Sequence, residues 1–461
     1  MLTLLITSLS VLGYIIFFFA NRKKALLFLF LIKLPLDQIA WKTQIDLVFI
    51  SFKGSEIITV LITLLFFTAF MLDKIRDPNR LGVVGYFPKV IKIPILIFMG
   101  VFFMQIFTGG SIIGELRVYI KLITGFFIGV FVAKTITNEN DINWLLRCML
   151  FGTIVMSILN IPAIYSGGQL HIYVSHEDST IGTYLSGGVG QYFSADSFAH
   201  AFLVNAPAIL LAATVLKSKW EKILCLFVML FIIVGVFVSA MRVAWISLSL
   251  LLVIWMIIQK RWKLIIVTAA CVFIVVTAQV FSSPLQRAYQ KISLEVDSIE
   301  KREIPSYAFG GRPRIWKIYA EYYMNAPLII KIIGSNELFN MAMGKAGGHD
   351  PHNDFMYILI RMGIIGLVAT LYLYIASGIH LLKEMRNMKT AYGWNLALTA
   401  ILALLTMLVP SFTRTGLMNP NYEWVFWSFA MLAFNYNSKL WNNYVLPETE
   451  QESEVSSLPV I

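Results

Sequence analysis

The chain has 461 residues, of which 58% are hydrophobic and only 14% are charged, and its mean hydropathy is +0.74. Soluble domains carry about a quarter charged residues, so this composition excludes an ordinary soluble protein. The formal net charge of +11 comes largely from basic clusters between apolar runs. In membrane proteins such clusters are a topology signal, and we expect no nucleic-acid partner.

Apolar runs long enough to cross a bilayer recur along the chain. Backbone polar groups in lipid must be hydrogen-bonded within the protein, so such runs fold as helices; the short alternating strands typical of a membrane barrel do not occur in the pattern. We therefore predict an all-α membrane protein, a polytopic bundle of about 12–13 transmembrane helices. The predicted spans are 2–20, 25–40, 55–72, 93–109, 113–133, 144–163, 198–216, 221–240, 243–259, 263–281, 353–378, 395–410 and 421–437.

Lysine and arginine clusters predict the orientation, because cytoplasmic loops carry an excess of both residues. If the spans alternate, all the clusters fall on one side, which we assign to the cytoplasm. They lie within residues 22–24, 74–92, 217–222, 260–263 and 383–389. Two long polar loops, 165–197 and 282–351, then lie together on the periplasmic face. Residues 1–440 form one membrane domain, and residues 441–461 form a cytoplasmic tail that we expect to be disordered.

The first polar segment that could take part in binding or catalysis is Ser-Ala-Met-Arg at 239–242, directly before a predicted span. An arginine costs about 2.5–3.5 kcal/mol at mid-bilayer and less near the edge, so it usually has an anionic partner. Arg242 is therefore either a ligand for a bound anion or a snorkelling residue that contacts lipid phosphate. Three histidines in or near the first loop, His171, His176 and His200, are expected to be solvated or interfacial.

The second segment, Gly-Gly-Arg-Pro-Arg at 310–314, opens a helix in the second polar loop. Apolar residues from Ile315 to Tyr323 recur at helical spacing and predict an amphipathic helix on the outer membrane surface, over residues 313–325. A guanidinium group beside a helix N-terminus suits phosphate oxygens, so Arg312 and Arg314 are candidate anion ligands. The alternative is a surface helix with solvated charges.

The third segment reads His-Asp-Pro-His-Asn-Asp at 349–354 and continues into the pattern His-Asn-x9-Gly-x-x-Gly. His352 and Asn353 at the rim of a membrane helix are candidates for proton transfer or phosphate binding. They could equally cap the helix, while Gly363 and Gly366 allow a neighbouring helix to approach closely. Pro351 between the two histidines argues against a metal site, so we predict neither a metal nor a cofactor.

The fourth candidate is Arg361, nine residues into the span that begins at His352. A rise of 1.5 Å per residue would place it about 13 Å deep, facing the bundle interior or a water-filled cavity. Lys121, with Glu115 and Arg117, lies at the outer end of another span and is its expected companion. Arg361 and Lys121 are predicted to bind substrate. The alternative is a structural ion pair between helices.

The order of these segments resembles the O-antigen ligase and O-antigen polymerase superfamily of bacterial inner membranes. The shared pattern is Ser-x-x-Arg at a membrane helix, then Gly-Arg-x-x-x-Trp in a long outer loop, then His-Asn-x9-Gly-x-x-Gly. The resemblance is sharp only between about residues 239 and 367. Many relatives carry a carboxylate two residues before the first glycine of the last motif, where this chain has Arg361.

The resemblance implies a GT-C-type glycosyltransferase that acts without a metal on undecaprenyl-diphosphate-linked glycans at the periplasmic face. Carried over by motif, Arg242 and Arg312 look like the pair that binds the lipid diphosphate. His352 looks like the residue that activates the acceptor hydroxyl or positions the leaving group, and histidine suits proton transfer near neutral pH. The implied partners are the lipid-linked oligosaccharide, the bilayer and a chain-length regulator protein.

Polymerases and ligases share these motifs. We favour a polymerase, because the sequence His-Asn-Asp-Phe at 352–355 is similar to polymerase members. A ligase that transfers the glycan to lipid A core is the alternative. A transporter or flippase, with Arg361 lining the translocation path, is the alternative from another class. It is disfavoured because the polar residues concentrate in the loops of one face and paired broken helices are not evident.

Overall fold

The computed structural model describes residues 2–39, 44–47, 50–76, 83–108, 112–161, 169–174, 181–186, 192–239, 241–260, 312–413, 416–417 and 419–437. The predicted span at 263–281, residues 282–311 of the second polar loop and the predicted tail at 441–461 lie outside the described residues.

Helices account for most of the described chain. The first are α1 (Leu2–Ala20), α2 (Arg22–Ile39), α3 (Gly54–Arg76), α4 (Lys89–Thr108), α5 (Ile112–Thr135) and α6 (Glu139–Leu159). They are followed by α7 (Ala195–Leu203), α8 (Ala206–Val215), α9 (Lys219–Val238) and α10 (Arg242–Ile258). The second polar loop contributes α11 (Arg312–Asn325), α12 (Leu328–Ile333) and α13 (Asn336–Lys345). The chain then forms α14 (Asp354–Asn387), α15 (Ala391–Ser411) and α16 (Pro420–Tyr436).

Short strands occur only in connections between the described helices. An antiparallel pair, β1 (Gln44–Leu47) and β2 (Ile50–Lys53), joins α2 to α3 with Gln44 opposite Lys53. Between α6 and α7, the strands β3 (Gln169–Val174), β4 (Ile181–Ser186) and β5 (Tyr192–Ser194) form an antiparallel sheet in that order. The sequence did not indicate these strands.

Four of the described helices are long and apolar enough to cross a membrane. They are Glu139–Leu159, Lys219–Phe237, Asp354–Asn387 and Ala391–Ser411. Shorter apolar helical stretches accompany them at Ser8–Ala20, Ile123–Thr135, Ala199–Val215 and Arg242–Ile258. The prediction of an all-α, multi-pass membrane protein is confirmed.

Ion pairs connect the helix ends that carry the basic clusters. The start of α2 meets the end of α3 and the start of α6, the end of α5 meets the end of α3, and α6 meets the start of α9. The pairs are Arg22–Asp73 at 2.7 Å, Arg147–Glu221 at 2.6 Å, Lys134–Asp73 and Lys23–Asp141. These helix ends therefore lie at one end of the bundle, as the alternation of spans predicts.

The predicted span at 198–216 is divided into α7 and α8. Pro207, in the first turn of α8, lacks an N–H group, and its ring would clash with a carbonyl oxygen of a continuous helix. Asn205 lies at the break and donates from Nδ2 to Thr153 Oγ1 at 2.9 Å. In α7, His200 is 5% exposed and its Nδ1 lies 2.7 Å from the Tyr422 hydroxyl. The expectation of a solvated or interfacial His200 was wrong, because the side chain is buried. Local sequence could not indicate this burial, since the partner Tyr422 is 222 positions away.

The helix α16 is the centre of the bundle and packs against α5, α14 and α15. Phe426 and Trp427 have no exposed surface, and Tyr422 has 1%. The α5 and α16 backbones approach so closely that a Cβ atom on Gly129 would lie 2.7 Å from the Trp427 carbonyl oxygen. Close approach at a small residue is the packing that membrane helices use in place of the hydrophobic effect.

The helix α14 is kinked, which corrects the prediction of one regular span at 353–378. Gly363 has φ +65° and ψ −170°, so its first segment, 354–362, leaves the direction of the second, 364–387. A Cβ atom on Gly363 would overlap the Ile332 carbonyl oxygen, and one on Gly334, at φ +80°, would overlap the Arg361 carbonyl. Glycine at both positions lets α12 reach the kink.

The first segment of α14 packs with the loop helices. Its Ile360 joins a second buried cluster with Ile315 and Tyr319 of α11 and Phe339 of α13. The backbone N–H of Ser335 donates to the Ile360 carbonyl at 2.9 Å. Residues 354–362 therefore belong with the second polar loop as much as with the bundle.

Candidate functional site

His352 lies in a tight turn between α13 and α14. The Asp350 Oδ1 atom accepts the His352 backbone N–H at 3.0 Å, the pattern of an Asx-turn, and lies 2.7 Å from His352 Nδ1. His352 has φ +45°, a left-handed conformation that costs energy in a residue with a side chain. Its side chain keeps 29% of its surface exposed. The turn thus holds an accessible imidazole in one orientation.

The helix α11 holds the turn from one side. Trp316 donates its indole N–H to the Pro351 carbonyl at 2.6 Å, and the Tyr319 hydroxyl donates to the His349 carbonyl at 2.9 Å. Arg312 lies four positions before Trp316, so the two residues are neighbours on one helix face. The structure therefore packs the helix that begins with Arg312 against the turn that holds His352. Arg314, two positions after Arg312, faces another direction and is exposed.

Asn353 and Asp354 tie the other side of the turn to the connection between α15 and α16. Asn353 caps α14 by accepting the Met356 N–H at 2.9 Å, and its Nδ2 donates to the Phe412 carbonyl at 2.8 Å. Asp354, 1% exposed, accepts the backbone N–H groups of Gly416 and Leu417, each at 2.7 Å. Asn353, expected to bind substrate, thus uses both of its polar side-chain atoms to hold the turn.

Arg242 is the first residue of α10 and follows a tight turn. Ser239 donates its hydroxyl to the Val236 carbonyl at 2.6 Å, and Trp245 donates its indole N–H to the same carbonyl at 2.9 Å. At the far end of α10, Gln259 bonds to Asn395 near the start of α15. The end of α10 thus meets the start of α15, and the two helices, which pack together, run antiparallel. Arg242 therefore lies at the end of the bundle where α15 finishes, which also holds the Asn353–Phe412 contact.

Arg361 is 7% exposed and packs inside the second cluster. It donates from Nε to Asn336 Oδ1 at 2.5 Å and from Nη1 to the Tyr357 hydroxyl. Its guanidinium also lies 5.3 Å from the centre of the Phe339 ring. Because α14 bends at Gly363, Arg361 packs against the loop helices and not deep among the spans. The side chain of Lys121 lies outside the described residues.

Asp350 keeps its negative charge in this setting. Burial raises the pKa of its carboxyl group, but its hydrogen bonds and electrostatic interaction with His352, and a weaker interaction with His349, together outweigh burial. The pKa of Asp350 therefore lies below its usual value. Burial, with the nearby Asp350 charge, raises the pKa of Tyr319, which stays a neutral hydrogen-bond donor.

A comparison with known protein families gives a match over about a third of the chain. Residues 225–371 match the model of the O-antigen ligase family. Over this stretch the chain resembles the O-antigen ligase and polymerase superfamily. No curated protein matches the chain.

The O-antigen-ligase-like segment, residues 225–371, contains all three sequence motifs and the turn between α13 and α14. The match supports a membrane enzyme of the O-antigen ligase or polymerase type. Arg242, Arg312 and His352 lie inside the segment, and Lys121 lies outside it. Within the described residues there is no group of three His, Cys, Asp or Glu side chains that could hold a metal ion. That the enzyme works without a metal remains a prediction.

Sequence reasoning missed the role of Asp350. Its signal was present, because an aspartate two residues before His352, with Pro351 between them, is typical of an Asx-turn. The role of Asp354, which holds the segment between α15 and α16, could not be found in the same way. Its partners, Gly416 and Leu417, are 62 and 63 positions away, and only the folded bundle brings them together.

Proposed function

We propose that the protein is a metal-independent glycosyltransferase that polymerises O-antigen or exopolysaccharide repeat units at the periplasmic face of the bacterial inner membrane. Its donor is a glycan on undecaprenyl diphosphate, and its acceptor is a hydroxyl of another lipid-linked repeat. The observation that carries this proposal is the bond from Trp316 to Pro351. It links the helix that begins with Arg312 to the turn that presents His352.

The residues divide the reaction between them. The acceptor hydroxyl oxygen attacks the anomeric carbon of the donor sugar while the bond from that carbon to the diphosphate oxygen breaks. His352 takes the hydroxyl proton, a contribution of about 10² to 10⁴ in rate for general bases. The electron pair of the broken bond leaves with the lipid diphosphate, whose growing charge Arg312 and Arg242 offset.

The remaining predicted ligands have unequal support. Arg314, two positions after Arg312, is exposed, and its contact with the sugar or the diphosphate of the donor stays a prediction. Lys121 stays a prediction, as does a chain-length regulator protein as a partner. Arg361 and Asn353 are engaged with the protein, and we assign them to holding the loop helices and the turn.

A ligase is the second candidate, because the matching family model is described as O-antigen ligase. The two reactions share the donor and differ in the acceptor. The test uses purified enzyme in detergent with a short lipid-linked repeat, alone and then with lipid A core. Growth of a ladder without lipid A core supports the polymerase, and a product that forms only with lipid A core supports the ligase.

Variants of His352 test the chemistry. His352→Ala should lower turnover by about 10² to 10⁴ and leave binding of the lipid-linked donor nearly intact. His352→Gln should be nearly as inactive, because an amide cannot take a proton at neutral pH. His380→Gln is the control, a histidine near the other end of α14 that contacts Glu384. If neither product forms and His352→Gln leaves cell-surface polysaccharide unchanged, transport becomes the better assignment.

A further inference from the structure

The imidazole of His352 is fixed through one of its two nitrogen atoms. Nδ1 lies 2.7 Å from Asp350 Oδ1, and the same oxygen accepts the backbone N–H of His352 at 3.0 Å. An ionised carboxylate has no proton to donate, so the hydrogen atom of this contact belongs to Nδ1. In the neutral ring, the lone pair is then on Nε2.

The surroundings keep this arrangement in place. Both carbonyl groups that flank Asp350, those of His349 and Pro351, accept hydrogen bonds from α11. The left-handed backbone of His352 sets the direction in which its side chain leaves the turn. Asn353, the next residue, is held by Phe412. The Asp350–His352 contact is thus supported by three elements, α11, α14 and the segment after α15.

We propose that Asp350 is a positioning residue that makes Nε2 of His352 the atom which accepts the proton of the acceptor hydroxyl. The proton moves from the hydroxyl oxygen to Nε2, and that oxygen forms the new bond to the anomeric carbon. Asp350 keeps its negative charge and stabilises the imidazolium through Nδ1–H without taking the proton. The electron pair of the broken bond leaves with the diphosphate. This inference rests on the proposed glycosyltransferase function.

Asp350→Asn is the informative variant, because its amide oxygen can still accept the backbone N–H that forms the turn. The same oxygen can also accept Nδ1–H, so the ring keeps its orientation, but the negative charge that stabilises the imidazolium is lost. We expect kcat to fall by about a hundredfold or more, while the KM for the lipid-linked donor stays within about twofold. Asp350→Glu, which restores a carboxylate, should recover part of the loss.

A double variant separates positioning from folding. If Asp350 acts only through His352, then Asp350→Asn combined with His352→Ala should be no slower than His352→Ala alone. Multiplied losses in the double variant, or a wild-type kcat for Asp350→Asn, would overturn the proposal. Matching thermal unfolding of the wild type and Asp350→Asn is the check that the turn still forms.

A second readout does not depend on activity. Diethyl pyrocarbonate acylates the unprotonated imidazole nitrogen, and peptide mass spectrometry can follow each of the six histidines separately. Without the carboxylate, Nε2 is a weaker base and hence a weaker nucleophile. At a pH where the ring is unprotonated, we therefore expect Asp350→Asn to slow acylation of His352 several-fold and to leave that of His380 unchanged. Equal rates at His352 in the two proteins would overturn the role of Asp350. A slowed rate, in an enzyme that forms no glycan product, would instead reject the glycosyltransferase function and keep the Asp350–His352 pair.

Discussion

Trp316 and Pro351, 35 positions apart in the chain, are joined by a hydrogen bond of 2.6 Å from the indole N–H to the carbonyl oxygen. This bond gives the tryptophan of the Gly-Arg-x-x-x-Trp motif a physical purpose. One helical turn separates it from Arg312, and its partner Pro351 directly precedes His352. The bond therefore sets the spacing between the helix that begins with Arg312, proposed to hold the diphosphate, and the turn that presents His352, proposed to take the proton.

Trp316→Phe keeps the aromatic packing and removes the N–H donor. A net contribution of about 0.5–1.5 kcal/mol for one hydrogen bond predicts a fall in kcat of roughly tenfold or less. Donor binding should change little, because the arginines remain. Trp220→Phe, at a side chain that is 80% exposed, is the matched control. Wild-type kcat in Trp316→Phe would show that the bond is dispensable for the site.

The two arginines can be tested without removing their charge. Arg312→Lys and Arg242→Lys should each lose activity by about a hundredfold, because a guanidinium holds two diphosphate oxygens at once and an ammonium does not. A loss of that size corresponds to about 3 kcal/mol. Both proteins should fold, since each arginine is the first residue of its helix. Lys317→Gln on the exposed face of α11, with 76% of its side chain accessible, should keep full activity. Lysine variants that polymerise at the wild-type rate would contradict the assignment of the diphosphate site.

The bundle could be predicted from sequence because backbone polar groups in lipid must be hydrogen-bonded within the protein. A run of apolar residues must form a helix, and alternation of basic segments then groups the helix ends. The break between α7 and α8 follows from Pro207, but the kink in α14 could not be foreseen from Gly363 alone. The kink depends on α12, because the backbone of that helix packs against Gly363. The helix lies at residues 328–333, outside the local sequence of the kink.

The candidate site was predictable only in part, for a similar reason. Motif order indicated Arg242, Arg312 and His352, and local spacing could have indicated Asp350. Arg361 was expected among the spans, because a straight helix was assumed from His352 onward. Its contacts with Asn336 and Phe339 depend on how the loop helices fold back, which no short-range pattern encodes.

The backbone contact at Gly334 and Gly363 can be tested by adding one methyl group. Gly363→Ala and Gly334→Ala should each destabilise the protein by more than about 1 kcal/mol, because both the positive φ and the overlap oppose a Cβ atom. Gly344→Ala in α13 meets no atom within 4 Å and should be neutral or slightly stabilising. Thermal unfolding of the purified proteins in detergent measures the difference. Equal midpoints for all three variants would mean that α12 does not contact the kink.

The orientation of the site is the last prediction, and exposed positions at the two ends of the bundle test it. In a protein whose three native cysteines are replaced by alanine, Asn340→Cys reports on the loop helices and Ser218→Cys on the basic end. Both positions are exposed and uncharged, so the changes should not disturb the fold.

An impermeant thiol reagent added to intact spheroplasts should label Asn340→Cys and should label Ser218→Cys only after the membrane is opened. The reason is that lysine and arginine are retained on the cytoplasmic side during insertion, and Lys217, Lys219 and Lys222 lie just before and at the start of α9. Labelling in the reverse order would place His352 in the cytoplasm. A periplasmic transferase would then be excluded, even if every variant of the site lost activity.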